Sequence, residues 1–167
     1  MQCPLWTTQI LPERAQRLKR PQRPTSAPRS LPLGGSPSAF SSCSRRQADR
    51  VHTLNLTGEM AGYVWSINGI VWNKDVPPLA VAEGERVEIE FVNRTPMPHP
   101  MHVHGHEFQV VAIDGARFAG AKRDTVLIPP ARRVTVAFDA LNPGWWAIHC
   151  HLLYHLDAGM FTTIRYV

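Results

Sequence analysis

The sequence holds only three cysteines, no apolar run of membrane-spanning length, no internal repeat and almost no acidic residues in its first 50 positions. Three cysteines are too few for a disulfide framework, and Cys3 and Cys43 both fall in the N-terminal stretch, where nothing requires a bridge. A bilayer-crossing helix needs about 20 consecutive apolar residues, so no membrane-spanning segment is expected. The opening MQCPLWTTQILPERAQRLKR meets polar and charged residues too soon for an export leader. The pair Arg45-Arg46 is followed by Gln47, Ala48 and Asp49 rather than by the apolar run of a twin-arginine signal.

The formal charge of +5 is local. Residues 1–50 carry nine Lys or Arg against Glu13 and Asp49, a balance of +7, which leaves −2 for residues 51–167. The basic half also contains seven Pro and seven Ser. Such a composition cannot bury enough apolar surface to offset its ordering entropy, so a disordered tail or linker is expected over 1–50. It has no helical periodicity and no aromatic interleaving beyond Trp6 and Phe40, so neither nucleic acid nor a membrane surface is an expected partner.

From Val51 onward the pattern changes to short strands divided by turn residues, the rhythm of an all-β Greek-key sandwich of about eight strands. His52–Leu56 alternates polar and apolar, Tyr63–Ile67 is aromatic and β-branched, and Asn68-Gly69 is a hairpin signal. Arg86–Asn93 alternates cleanly, with Val87, Ile89 and Phe91 expected inside and the charges in water. Further strands are expected at 79–82, 106–113, 125–128, 133–138, 145–149 and 161–166. A loop or one short helical turn is expected over 151–158.

Seven of the eight histidines fall into two clusters, His99-Pro100-Met101-His102-Val103-His104-Gly105-His106 and His149-Cys150-His151-Leu152-Leu153-Tyr154-His155. The remaining one, His52, reads as a surface or hydrogen-bonded histidine. Neutral imidazole is the commonest metal ligand, and thiolate with imidazole suits copper or zinc. In a strand, residues i and i+2 share a face. His149 and His151 should therefore face one way and Cys150 the other, and His102 should pair with His104. The series Cys150, His155, Met160 gives a thiolate, an imidazole and a thioether in blue-copper order, with His99 as the second imidazole. Structural zinc is the alternative, but it would leave most of the histidines idle and gives the methionine no purpose.

HPMHVHGHEF at 99–108 and HCHLLYHLDAGM at 149–160 resemble the two C-terminal copper motifs of multicopper oxidases, the laccase-like family. YVWSING at 63–69 resembles the segment opening that domain in bacterial copper-resistance-type members. The resemblance implies a cupredoxin (plastocyanin-like) domain over 51–167. It implies that His99, Cys150 and His155, with axial Met160, hold a type 1 copper. His102 corresponds to a type 2 ligand, and His104, His149 and His151 to type 3 ligands. Strand parity alone would add His106 to that face, whereas the family pattern leaves it uncoordinated. The implied activity is transfer of electrons from a small reducing substrate, a phenol or a metal ion, through the type 1 copper to a trinuclear cluster that reduces dioxygen to water. The implied location is periplasmic or secreted.

The family's trinuclear cluster draws half its histidines from His-x-His pairs in an N-terminal domain, and this sequence contains no such second set. The expected partners are therefore N-terminal multicopper oxidase domains, or a subunit supplying those pairs. A stand-alone blue-copper electron carrier and a nonfunctional truncated remnant are the alternatives.

Overall fold

The computed structural model describes residues 46–167, so residues 1–45 of the expected tail lie outside the described residues. Twelve strands and one short helix follow one another: β1 Arg50–Glu59, β2 Val64–Ile67, β3 Leu79–Val81, β4 Arg86–Asn93, β5 His99–Val103, β6 Phe108–Ile113, β7 Ala116–Arg117, β8 Lys122–Arg123, β9 Thr125–Ile128, β10 Arg133–Asp139, β11 Trp145–Cys150, α1 Leu153–Asp157 and β12 Phe161–Tyr166. They form two sheets. The first runs β2-β1-β4-β10-β6-β7, with β8 also on β6, and the second runs β3-β12-β11-β5-β9.

The two sheets share one core. Leu54, Leu56, Ile89, Phe91 and Val136 from the first meet Met101, Val103, Ile148 and Ile164 from the second, all essentially without solvent contact. Each such side chain contributes about 1.5–3 kcal/mol through burial. Val87, Ile89 and Phe91 lie inside as their alternation predicts. The opposite face of β4 departs from expectation, because Arg86 and Glu88 are buried as well. β4 is central, between β1 and β10, and its outer charges are covered by partners: Arg86 bonds Asp139 at 3.3 Å and Glu88 pairs with Arg117. The Asp114-Gly115 turn, with both residues at positive φ, folds β7 back on β6.

Three strands beyond the expected set, β5, β7 and β8, raise the count to twelve. On the N-terminal side of the expected boundary at 51, Arg50 already pairs with Val87 in β1 and bonds Glu85 at 2.7 Å. The 151–158 stretch contains the single turn of helix α1.

The decisive strand is β5. It lies between β9 and β11, which sets His102 opposite His149 and Met101 opposite Cys150. Two sequence clusters nearly 50 positions apart thus become neighbours in one sheet.

Candidate metal centre

β5 points His99, Met101 and Val103 into the core and leaves His102 half-exposed on the other face. Cys150, in register with Met101, joins the inner face, and its sulfur meets His99 Nδ1 and His155 Nδ1, each at 3.8 Å. The two imidazole nitrogens face each other at 3.1 Å. His155 reaches this point from α1, whose first turn is closed by the bond from the His155 N–H to the Leu152 carbonyl. All three side chains are buried. Met160 is fully buried beside them: its carbonyl accepts from the Cys150 N–H at 3.1 Å and its N–H donates to the His155 carbonyl at 2.9 Å.

Hydrogen bonds around these residues orient the donors. His99 Nε2 lies 2.6 Å from Thr95 Oγ1, which itself bonds Asn93 Oδ1 at 2.9 Å. With that hydroxyl donating to Asn93 and accepting from Nε2–H, His99 Nδ1 carries the lone pair and aims it at the sulfur. Burial, and secondarily His155, lowers the His99 pKa to about 4. Burial lowers His155 too and raises the Cys150 thiol to about 11, opposed by a backbone hydrogen bond at Leu152. The metal-free pocket therefore holds neutral imidazoles and a protonated thiol, and a bound cation would displace the thiol proton.

The outer face of the same strands carries the second cluster. His104 Nε2 and His149 Nε2 stand 2.9 Å apart, and the His102 ring lies 4.8 Å from that of His104 and 5.6 Å from those of His149 and His151. Here too the inner ring nitrogens are anchored: His149 Nδ1 to the Cys150 carbonyl at 2.9 Å, and His102 Nδ1 to the Asp124 carbonyl at 2.8 Å and to Thr125 at 3.0 Å. His104 and His149 are both shifted toward the neutral form, chiefly by burial and then by neighbouring histidines. His104 and His151 are exposed, so this cluster opens to the surface.

His106 does not join it. β5 ends at Val103 and Gly105 turns the chain at φ 68°, so strand parity no longer applies there. His106 turns instead to the Tyr166 hydroxyl at 2.7 Å and the His104 carbonyl at 2.9 Å. His52 bonds the Ala80 carbonyl at 3.1 Å, away from both clusters. Asn93, Thr95, Asp124 and Thr125, which hold the histidines, escaped the reading of the sequence. Thr95 lay within four residues of His99, where a search for anchors of the second ring nitrogen would have found it.

The multicopper oxidase family model matches residues 45–167. The chain belongs to the multicopper oxidase family. It is 43% identical over 114 residues to Multicopper oxidase MmcO of Mycobacterium tuberculosis, covering 68% of this chain and 22% of that one. It is 42% identical over 130 residues to Copper resistance protein A of Pseudomonas syringae pv. tomato, covering 77% and 20%. Among solved structures it resembles the McoA multicopper oxidase of Aquifex aeolicus, with TM-score 0.61 and 31% identity over 70% of this chain and 29% of that one. It also resembles the blue copper oxidase of Nitrosomonas europaea, with TM-score 0.64 and 28% identity over 70% and 43%. The chain spans about a fifth of the length of the curated relatives it matches.

A multicopper oxidase domain implies copper, and the donor set at Cys150 fits it. Two imidazole nitrogens and one thiol sulfur lie within 4.8 Å of one another with Met160 buried beside them, and a thiolate-and-imidazole set with a thioether at hand suits copper, whereas zinc has no use for the thioether.

Proposed function

We propose that this chain is the copper-binding C-terminal domain of a multicopper oxidase, receiving electrons from a small reducing substrate at one site and delivering them to a cluster completed by other domains or a partner subunit. The observation that carries the reading is the back-to-back arrangement at the end of β11, where Cys150 lies on the inner face, His149 on the outer, and His151, just past the strand, joins the outer histidines beside His102. His99, Cys150, His155 and Met160 would hold the type 1 copper. His102 would serve type 2, and His104, His149 and His151 type 3. Copper in these positions supplies one-electron redox chemistry and, in a completed cluster, the reduction of dioxygen to water.

The chain's own residues do three things in this scheme. The buried inner pocket excludes water and holds two neutral imidazoles against a thiol whose proton must leave as metal binds. The backbone from His149 to His151 joins the two sites covalently over a single residue on either side of the sulfur. The outer cluster opens to the surface at His104 and His151, where His-x-His pairs from N-terminal domains would meet it. The compartment implied by this reading is the periplasm or the cell exterior.

Copper counting with visible and paramagnetic resonance spectroscopy tests the proposal. One copper per chain with an intense blue thiolate band, together with oxygen reduction only when the missing domains are supplied, is the expected result. A folded protein without a blue band would refute it. A stand-alone blue-copper carrier is the second reading, favoured by the completeness of the inner site within this one chain. Failure of any His-x-His-bearing domain to restore oxygen reduction would select it.

A further inference from the structure

His99, Cys150 and His155 are at most 3% exposed, so a donor in solution meets none of them directly. What covers them is aromatic. The Trp65 indole, 0% exposed, stacks on His155 with ring centroids 4.1 Å apart and planes at 24°, and it meets His99 edge-on at 5.2 Å. Tyr63 stands edge-to-face on Trp65 at 6.3 Å, lies 6.4 Å from His155, and is 42% exposed. Surface, phenol ring, indole ring and imidazole ring therefore follow one another without a gap.

Several local features are arranged around this stack. Tyr63 has φ 48°, a conformation costing a non-glycine residue about 1–3 kcal/mol, and it aims the ring at Trp65. Gly58 lies opposite Trp65 in the β1–β2 ladder, and a Cβ there would come within 2.6 Å of the indole. The Trp65 backbone N–H bonds the Ala158 carbonyl at 3.4 Å, and Gly159, where a Cβ would sit 2.9 Å from the Trp65 carbonyl, lets this segment lie directly on the loop between His155 and Met160. The buried indole nitrogen has no acceptor among the described residues. An unmet buried donor costs about 1–3 kcal/mol, which a purely apolar side chain of similar size would avoid. As core filling alone, tryptophan is a poor choice here; as an extended ring in contact with both imidazoles, it is a good one.

We infer that Tyr63 and Trp65 form the electron inlet of this domain, with Trp65 also fixing the orientation of His155. The inference rests on the copper assignment above. A donor docked against Tyr63 would lose one electron, a phenolic donor also releasing its proton to solvent, and cupric copper held by His99, Cys150 and His155 would be the one-electron acceptor. The two rings serve as the contact path and are unchanged by the transfer.

The test uses the copper-loaded chain under anaerobic conditions, with hydroquinone as donor and stopped-flow bleaching of the blue band as readout. Tyr63→Leu is expected to keep the blue band and the reduction potential yet bleach about tenfold more slowly, and Tyr63→Phe to restore the rate. In metal-free protein, the ring protons of His155 are expected to lose their indole ring-current shift in Trp65→Leu. If Tyr63→Leu bleaches as fast as the parent or faster, Tyr63 is merely a cover and the inlet is overturned while the copper site stands. If the parent protein itself has no blue band, the copper assignment fails and the inlet falls with it.

Discussion

Acidifying the metal-free protein should destabilise it through His99. The ring is buried and its pKa falls from 6.5 to about 4 on folding. Above pH 6.5 the imidazole is neutral in both states and costs nothing. As pH drops below that value the unfolded chain takes up a proton that the folded pocket refuses, so stability is lost progressively until the folded site titrates near 4. At about 1.4 kcal/mol per unit, the loss reaches about 3 kcal/mol at pH 4 from this residue alone, against a total of about 5–15 kcal/mol for a domain. His155 shifts in the same direction and adds to it. The raised Cys150 pKa acts oppositely: stability falls as pH climbs from the ordinary thiol range toward 11. The metal-free fold should thus be most stable between about pH 6.5 and 8.5. Urea unfolding at a series of pH values, repeated on His99→Gln, measures this. A His99→Gln variant that keeps the parent's full acid sensitivity would refute the reasoning.

Cys150→Ser should abolish the blue band while His104→Ala leaves it largely intact, because the two side chains serve opposite faces of the sheet; equal loss on visible spectroscopy would undo the division of ligands. Thr95→Val removes the anchor on His99 Nε2 and should weaken copper binding at the inner site by about tenfold or more, read by competition with a chelator. Gly105→Ala forces a Cβ to within 2.5 Å of the Trp146 indole at φ 68°, so the unfolding midpoint should shift by the equivalent of at least about 2 kcal/mol. A shift below half that would mean the turn relaxes freely.

The strands were legible where one face is apolar and the other polar, as along Val87, Ile89 and Phe91. The ion pairs of Arg86 and Glu88 were not, because their partners Asp139 and Arg117 lie far along the chain and nothing local marks a pair. The split of Cys150 from His149 followed from strand parity, since β11 stays regular up to Cys150, whereas His151 lies one residue past its end. Parity failed for His106 because Gly105 breaks the strand one residue earlier, leaving the family pattern to exclude it. Trp65 left no signal as a neighbour of His155: their contact joins β2 to α1 across the interior, and only the packed fold reveals it.

The pairing of His102 with His149 and of Met101 with Cys150 makes strand registration a chemical coordinate. Side chains alternate every residue, so sliding β5 by a single position against β11 would send His99 outward and His102 inward, dismantling both ligand sets in one move. Length changes in the 118–121 loop, on the other sheet, leave that alignment untouched, whereas a one-residue insertion within 99–103 or 149–150 scrambles it. Descendants of this sequence are therefore free to remodel their loops, while the short stretches that carry the histidines must be inherited residue for residue.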